Sequence, residues 1–227
     1  MNQDMANNTL QTDNLAGLLF DLDGTLLDTH DIILCSMRHT INDVFGRNLA
    51  DETLMRGVGT PLYDQMLTFT DGDSEAATEL TRIYREHNEA VHDQQIKAFP
   101  GTIDALKRFA ALGLPMGIVT SKRHALAQHG VDLTELSPYF KVLIGSDDTE
   151  LHKPNPAPVV YGCELLGLSP DQVLYIGDSP YDMQAGGGAG CQTSAATWGM
   201  FSEEELLAQN PTVVCAHLTD LADLLER

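Results

Sequence analysis

"LLFDLDGTLLDTH", residues 18–30, puts two carboxylates where an apolar run ends. Residues 15–20 have the composition of a buried strand. Asp21 stops that strand, Asp23 follows two residues later, and Gly24 and Thr25 come next before apolar residues resume at Leu26. On a straight strand, Asp21 and Asp23 point to the same side. Two acids at one strand end repel each other unless something positive is brought to them.

The rest of the chain repeats this placement. After residue 98, strand-like and helix-like segments alternate. Strands are expected over 114–121, 140–148, 172–179 and 192–199, with a short last one at "TVVCA". The intervening segments are helical, and such alternation demands parallel pairing through crossovers. In open parallel sheets, ligands sit beyond the carboxyl ends of the strands. The polar residues fall there: Asp21 and Asp23 after the first strand, Thr120 and Ser121 after "LPMGIV", Lys153 after "FKVLIGSDD", Asp178 after "QVLYIG". One rim therefore gathers at least three carboxylates, two hydroxyls and an ammonium. Three carboxylates together call for a cation, and an all-oxygen set suits a hard ion such as Mg²⁺. Ser121 and Lys153 are donors matched to phosphoryl oxygens.

Between the first strand and residue 98 the pattern is wholly helical. Residues 29–45 place Ile33, Met37, Ile41 and Val44 on one face, and Gly46 ends the segment. "MRGVGTPLYDQM" (55–66) is a Gly-punctuated loop entering a helix at Pro61. Ser74 is the expected cap of a long helix over 75–93. On that helix His87 and His92 have no ligand spacing to a third group, which predicts surface positions.

Composition narrows the partners. The 227-residue chain carries 13 basic and 33 acidic residues, a net charge of −20. Nucleic acids and anionic membranes need Lys/Arg clusters that it lacks. No segment reaches the roughly 20 apolar residues of a membrane span. "MNQDMANNTLQTDN" has no signal-peptide pattern and reads as a loose tail over 1–14. Four scattered cysteines, without CxxC or zinc spacing, suit reduced thiols in a cytoplasmic protein. Trp198 is expected to pack at a strand end. "GGG" (186–188) follows no strand and lacks the Lys-Ser/Thr pair of a phosphate loop, so it suits close packing.

The motifs as a set resemble those of the haloacid dehalogenase-like (HAD) superfamily: "DLDGTLLDT" (21–29), "TS" (120–121), Lys153 in "HKPNP" and "GDSPYD" (177–182). The resemblance implies a doubly wound, Rossmann-like parallel-sheet α/β core over 15–28 and 98–227, with an all-helical cap inserted over 29–97. It further implies an Mg²⁺-dependent phosphohydrolase. Asp21 would be the nucleophile and Asp23 the general acid and base. Asp21, Asp178 and the Asp23 carbonyl would hold Mg²⁺, with Asp182 as a more distant partner. Gly24, Thr25, Thr120, Ser121 and Lys153 would surround the phosphoryl group, with Lys153 also restraining Asp21.

Within the superfamily, "MRGVGTPLYDQM" and "TSKRH" look like the phosphoglycolate phosphatase and pyrophosphatase branches. The β-phosphoglucomutase branch usually has a Ser-Arg pair in that loop, which Gly59-Thr60-Pro61 lacks. Lys122, Arg123 and Arg56 are candidates for a second anionic group on the substrate, as in pyrophosphate or phosphoglycolate. The expected substrate is a small phosphorylated molecule and the expected state a monomer or weak homodimer. Alternatives are a sugar-phosphate phosphatase or mutase, a receiver-like phosphoacceptor, and a silent HAD-fold binding protein. Asp23 and the helical insertion count against the receiver, and the intact motifs against the silent fold.

Overall fold

The computed structural model describes residues 10–227. Six parallel strands form one sheet: β1 (Gly17–Phe20), β2 (Met116–Val119), β3 (Val142–Ile144), β4 (Val173–Gly177), β5 (Gln192–Ala196) and β6 (Val213–Cys215). Their order is β3-β2-β1-β4-β5-β6, with every neighbouring pair parallel. The chain runs outward from β1 on one side, then returns to run outward on the other. The direction reverses between β1 and β4, where a doubly wound sheet opens a crevice beyond its strand ends.

Alternation along β1 sorts the core into two layers. Leu18 and Phe20 pack with Ile118, Leu174 and Ile176, under Leu106 and Phe109 of α5 (Thr102–Ala111) and Leu221 of α10 (Leu218–Leu225). Leu19 faces the other way, with Val119, Ile144 and Tyr175, under Val159 and Cys163 of α7 (Ala157–Leu166) and Ala185 of α8 (Pro180–Ala189). Close packing on the second face depends on Gly186, where a Cβ would come within 2.8 Å of Thr193 and 2.9 Å of Tyr175. All four cysteines are free thiols. None of the described helices is long and apolar enough to cross a membrane.

Between β1 and α5 the described structure is helical, apart from loops and isolated bridges: α1 (His30–Met37), a π-helical turn (Arg38–Val44), α2 (Asp51–Met55), α3 (Leu62–Phe69) and α4 (Ser74–Gln95). These elements share an apolar cluster of their own, built on Ile33, Met37, Ile41, Leu54, Met66, Phe69 and Tyr84. Three local expectations change here. Val44 is exposed rather than on the apolar face with Ile41, because the wider π turn shifts the side-chain phase. The α4 cap is Asp73, whose carboxylate accepts from Glu75 N at 3.0 Å and Ala76 N at 3.1 Å. Ser74 is already the first helical residue. His92 is 1% exposed, not a surface residue. It lies against α6 (His124–Leu133), near Gly130, with its ring 6.0 Å from that of His129. His87 is half-buried and stacks on His39 with ring centroids 4.3 Å apart.

The first nine residues of the expected tail lie outside the described residues. Beyond them, Gln11 N donates to Gln192 Oε1 at 2.7 Å and Gln192 Nε2 donates back to Gln11 O at 2.8 Å.

Candidate active site

β1 ends at Phe20, so Asp21 and Asp23 stand on a turn rather than on a straight strand. The Leu22 carbonyl accepts from Leu26 N and Leu27 N, both at 2.9 Å, and Gly24 N donates to Leu27 O at 2.8 Å. This turn buries Leu22 in the core while Asp21 and Asp23 both reach one cavity. Gly24 is required there. Its φ is +87°, and a Cβ would lie 2.2 Å from Asp178 Oδ2.

Asp21 is the hinge of the electrostatics. Lys153 Nζ donates to Asp21 Oδ1 at 2.8 Å and to Asp182 Oδ1 at 2.6 Å. Asp182 is fully buried and takes further bonds from Tyr175 OH at 3.1 Å and from Ser179 N at 3.0 Å. Asp178 is fixed by Thr25 Oγ1 at 3.1 Å and by Met200 N at 2.7 Å. Trp198, just beyond β5, steadies the same turn by donating from Nε1 to Thr25 O at 2.9 Å.

These bonds do not balance the charge. Oxygens of Asp21, Asp178 and Asp182 lie within 4.8 Å of one another, and all three residues are buried. One ammonium, Lys153, faces them. Burial pushes the Asp21 carboxyl up to about 7 against the opposing pull of Lys153, with Asp182 adding to the rise. Burial likewise drives Asp178 well above the carboxylate range, and Asp182 and Asp21 reinforce it. Lys153 is held well above the ordinary lysine value by Asp182 and Asp21, although burial alone would lower it. A site with more buried carboxylate than compensating cation, all of it oxygen, fits a hard divalent ion.

A cavity of about 640 Å³ lies over Asp21. Its core-side lining includes Asp23, Thr120, Ser121, Lys122 and Arg123, and its other wall comes from the helices between β1 and α5. Lys122 Nζ is 3.1 Å from Asp23 Oδ1, so this base answers an acid of the site. Ser121 Oγ donates to Gly59 O at 2.6 Å, joining the β2 rim to the loop before α3. Gly24, Thr25, Lys153, Asp178 and Asp182 are outside the cavity lining, and Lys153 acts on it through its bond to Asp21. Arg56 is exposed and outside the cavity lining. Arg123 is exposed at the cavity, 3.6 Å from Asp147.

Sequence reasoning missed Arg85. It lines the cavity from α4, and burial together with the charge of Arg123 lowers its pKa. The helical period offers a signal: Arg85 is adjacent to the buried Tyr84 and three residues before the buried Asn88. Tyr175 was missed too, because a tyrosine inside a buried strand reads as core.

The model of the haloacid dehalogenase-like hydrolases matches residues 18–196. The chain belongs to that family. Among relatives of this HAD protein, the pyrophosphatase PpaX of Anoxybacillus flavithermus is 34% identical over 212 residues, covering 93% of this chain and 97% of the relative. The pyrophosphatase PpaX of Bacillus pumilus is 32% identical over 204 residues, covering 90% and 93%. Among solved structures, a haloacid dehalogenase-like family hydrolase from Streptococcus pneumoniae superposes with a TM-score of 0.82 at 26% identity, over 93% of this chain and 98% of that one. The six-stranded parallel sheet with its helical insertion is thus the HAD fold.

Proposed function

We propose that this HAD-family phosphatase hydrolyses a small phosphorylated anion through an aspartyl-phosphate, with inorganic pyrophosphate the favoured substrate and phosphoglycolate the next. The observation that carries the reading is Asp21 itself, on the cavity floor and bonded from behind by Lys153 at 2.8 Å. One carboxylate oxygen is thereby occupied, which leaves the other as the attacking atom.

In the first step an Asp21 oxygen forms a bond to phosphorus as the bond to the leaving oxygen breaks. Asp23, on the same turn, gives the leaving oxygen a proton. In the second step Asp23 takes a proton from water, whose oxygen attacks phosphorus and releases Asp21. Asp21, Asp178 and the Asp23 backbone carbonyl are the groups to hold Mg²⁺, with Asp182 behind them. The chemistry supplied there is neutralisation of phosphoryl charge. Thr120 and Ser121 offer hydroxyls to the phosphoryl oxygens, and Lys153 aims Asp21 and favours its ionised form against the pull of burial. The domain reading treats 29–97 as a cap over a core of 15–28 and 98–227, so that closure excludes water.

The preference for pyrophosphate rests on the likeness to the PpaX pyrophosphatases and on the cations at the cavity. Arg85 and Arg123 meet there from opposite walls in a chain of charge −20. A second anionic group on the substrate relieves their repulsion. The test is a side-by-side comparison of kcat/KM for pyrophosphate, phosphoglycolate, sugar phosphates and nucleotides with Mg²⁺. A sugar phosphate ranking first would overturn the substrate assignment and leave the chemistry standing. Absence of phosphate release from every one of them would overturn both.

A further inference from the structure

Near the end of α4, on the wall of the cavity that Asp21 and Asp23 also line, lies a second group of ligating side chains. His92 and Asp93 come from α4 and His129 from α6. Asp93 Oδ1 lies 3.0 Å from His92 Nδ1 and 2.9 Å from His129 Nε2, and Asp93 Oδ2 is 3.0 Å from the same His129 nitrogen. One ligand atom from each residue falls within 4.8 Å of the others. The two rings are 6.0 Å apart and only 25° from parallel. His92 is buried, whereas the Asp93 and His129 side chains are 55% and 48% exposed, so the group opens on one side.

The geometry points to a second metal site, distinct from the carboxylate cluster, in which His92, Asp93 and His129 hold one Zn²⁺-class cation with water completing the shell. A tetrahedral ion with bonds of about 2.0–2.1 Å needs donors about 3.4 Å apart. The nitrogen–oxygen separations are 2.9–3.0 Å, so each imidazole draws back from Asp93 by about half an ångström to admit it. Two imidazoles and one carboxylate select borderline metals over Mg²⁺ or Ca²⁺, which prefer all-oxygen shells. The two clusters would therefore sort different ions.

His92 Nε2 is buried with no partner. Moving the ring proton from Nδ1 to Nε2 frees the ligating lone pair, and Nε2 is unpaired in either tautomer. The chain's −20 charge also concentrates cations around it. Occupancy would tie α4 to α6 one turn before Ile96, where the chain leaves the helices and returns towards the sheet. The ion would then fix the angle between them.

Calorimetric titration of Zn²⁺ into the full chain in excess Mg²⁺ tests this, beside His129→Gln and Asp178→Asn. The expected result is one Zn²⁺ per chain in the wild type and in Asp178→Asn. His129→Gln, at a half-exposed position, should weaken binding by about 100-fold or more, beyond what loss of an outer-shell partner costs. Hydrogen exchange at residues 96–98 should slow on adding Zn²⁺ to the wild type but not to His129→Gln. The proposal is overturned by no saturable uptake over Mg²⁺, by uptake that His129→Gln leaves within a few-fold, or by uptake that Asp178→Asn abolishes.

Discussion

Lys122 Nζ and Asp23 Oδ1 are paired at 3.1 Å across 99 residues of sequence, with both side chains largely shielded from water. The base beside the β2 rim is thus placed to orient the proposed proton carrier. Lys122→Ala should lower kcat for pyrophosphate and for p-nitrophenyl phosphate alike, by about 10- to 100-fold, as misplacing a reacting group does. A rise in KM confined to pyrophosphate would return Lys122 to the role of anion binder.

Arg85 has the complementary expectation. It lines the cavity from α4, facing the charge of Arg123. Hydrogen bonds to charged groups contribute about 1.5–3 kcal/mol, so Arg85→Ala should raise KM for pyrophosphate by about 10-fold or more. p-Nitrophenyl phosphate, with no second anionic group, should be affected little. Steady-state kinetics on both substrates make the comparison.

Asp21→Asn should remove turnover by more than about 10³-fold while leaving a folded protein, because it deletes the nucleophile and keeps the shape. Phosphate release with Mg²⁺ reads the first property and a thermal melt the second. Turnover near the wild-type rate would exclude Asp21 as the attacking group.

The same variant exposes a pH effect without divalent metal. The Asp21 carboxyl is raised from 3.8 to about 7, chiefly by burial. Below pH about 4 both folded and unfolded chains hold this proton. Between about 4 and 7 only the folded chain holds it, so its contribution to stability falls as pH rises; above 7 both have lost it. The Tm of metal-free wild type should therefore drop relative to Asp21→Asn across that window and run parallel to it above. Adding Mg²⁺ near pH 7.5 should recover much of the wild-type loss. A constant difference from pH 4 to 7 would refute the raised carboxyl.

Gly24→Ala and Gly46→Ala separate backbone strain from crowding. Their φ angles are +87° and +81°, but a Cβ on Gly24 would strike Asp178 whereas one on Gly46 meets nothing within 4 Å. Gly46→Ala should cost about 1 kcal/mol, or roughly 2–4 °C in Tm for a chain of this size. Gly24→Ala should cost more and also depress activity, since it displaces a proposed metal ligand. Equal melts and equal activity would refute the crowding.

The rim that carries Asp21, Ser121 and Asp178 was legible because topology forces it. Asp21, Ser121 and Asp178 each follow a strand of a parallel sheet, and the carboxyl ends of such strands share one edge. What stayed hidden depended on facing partners. That Lys122 answers Asp23, that Thr25 is spent on Asp178, and that Arg85 faces Arg123 are relations across long loops, with no local pattern to report them. His92 was misjudged for a related reason: what buries it is packing against α6, a helix distant in sequence. Val44 and Ser74 failed on finer grounds, a change of helical pitch and a competing cap one residue earlier.

The bond from Ser121 Oγ to Gly59 O gives the loop before α3 an interest in whether the rim is filled. A serine hydroxyl has a single hydrogen to give. That hydrogen fastens the loop; if a phosphoryl oxygen claimed it, as proposed, the Gly59 carbonyl would lose its partner. Substrate arrival and loop attachment would then draw on one donor, and binding would be signalled to the helices by subtraction of a bond.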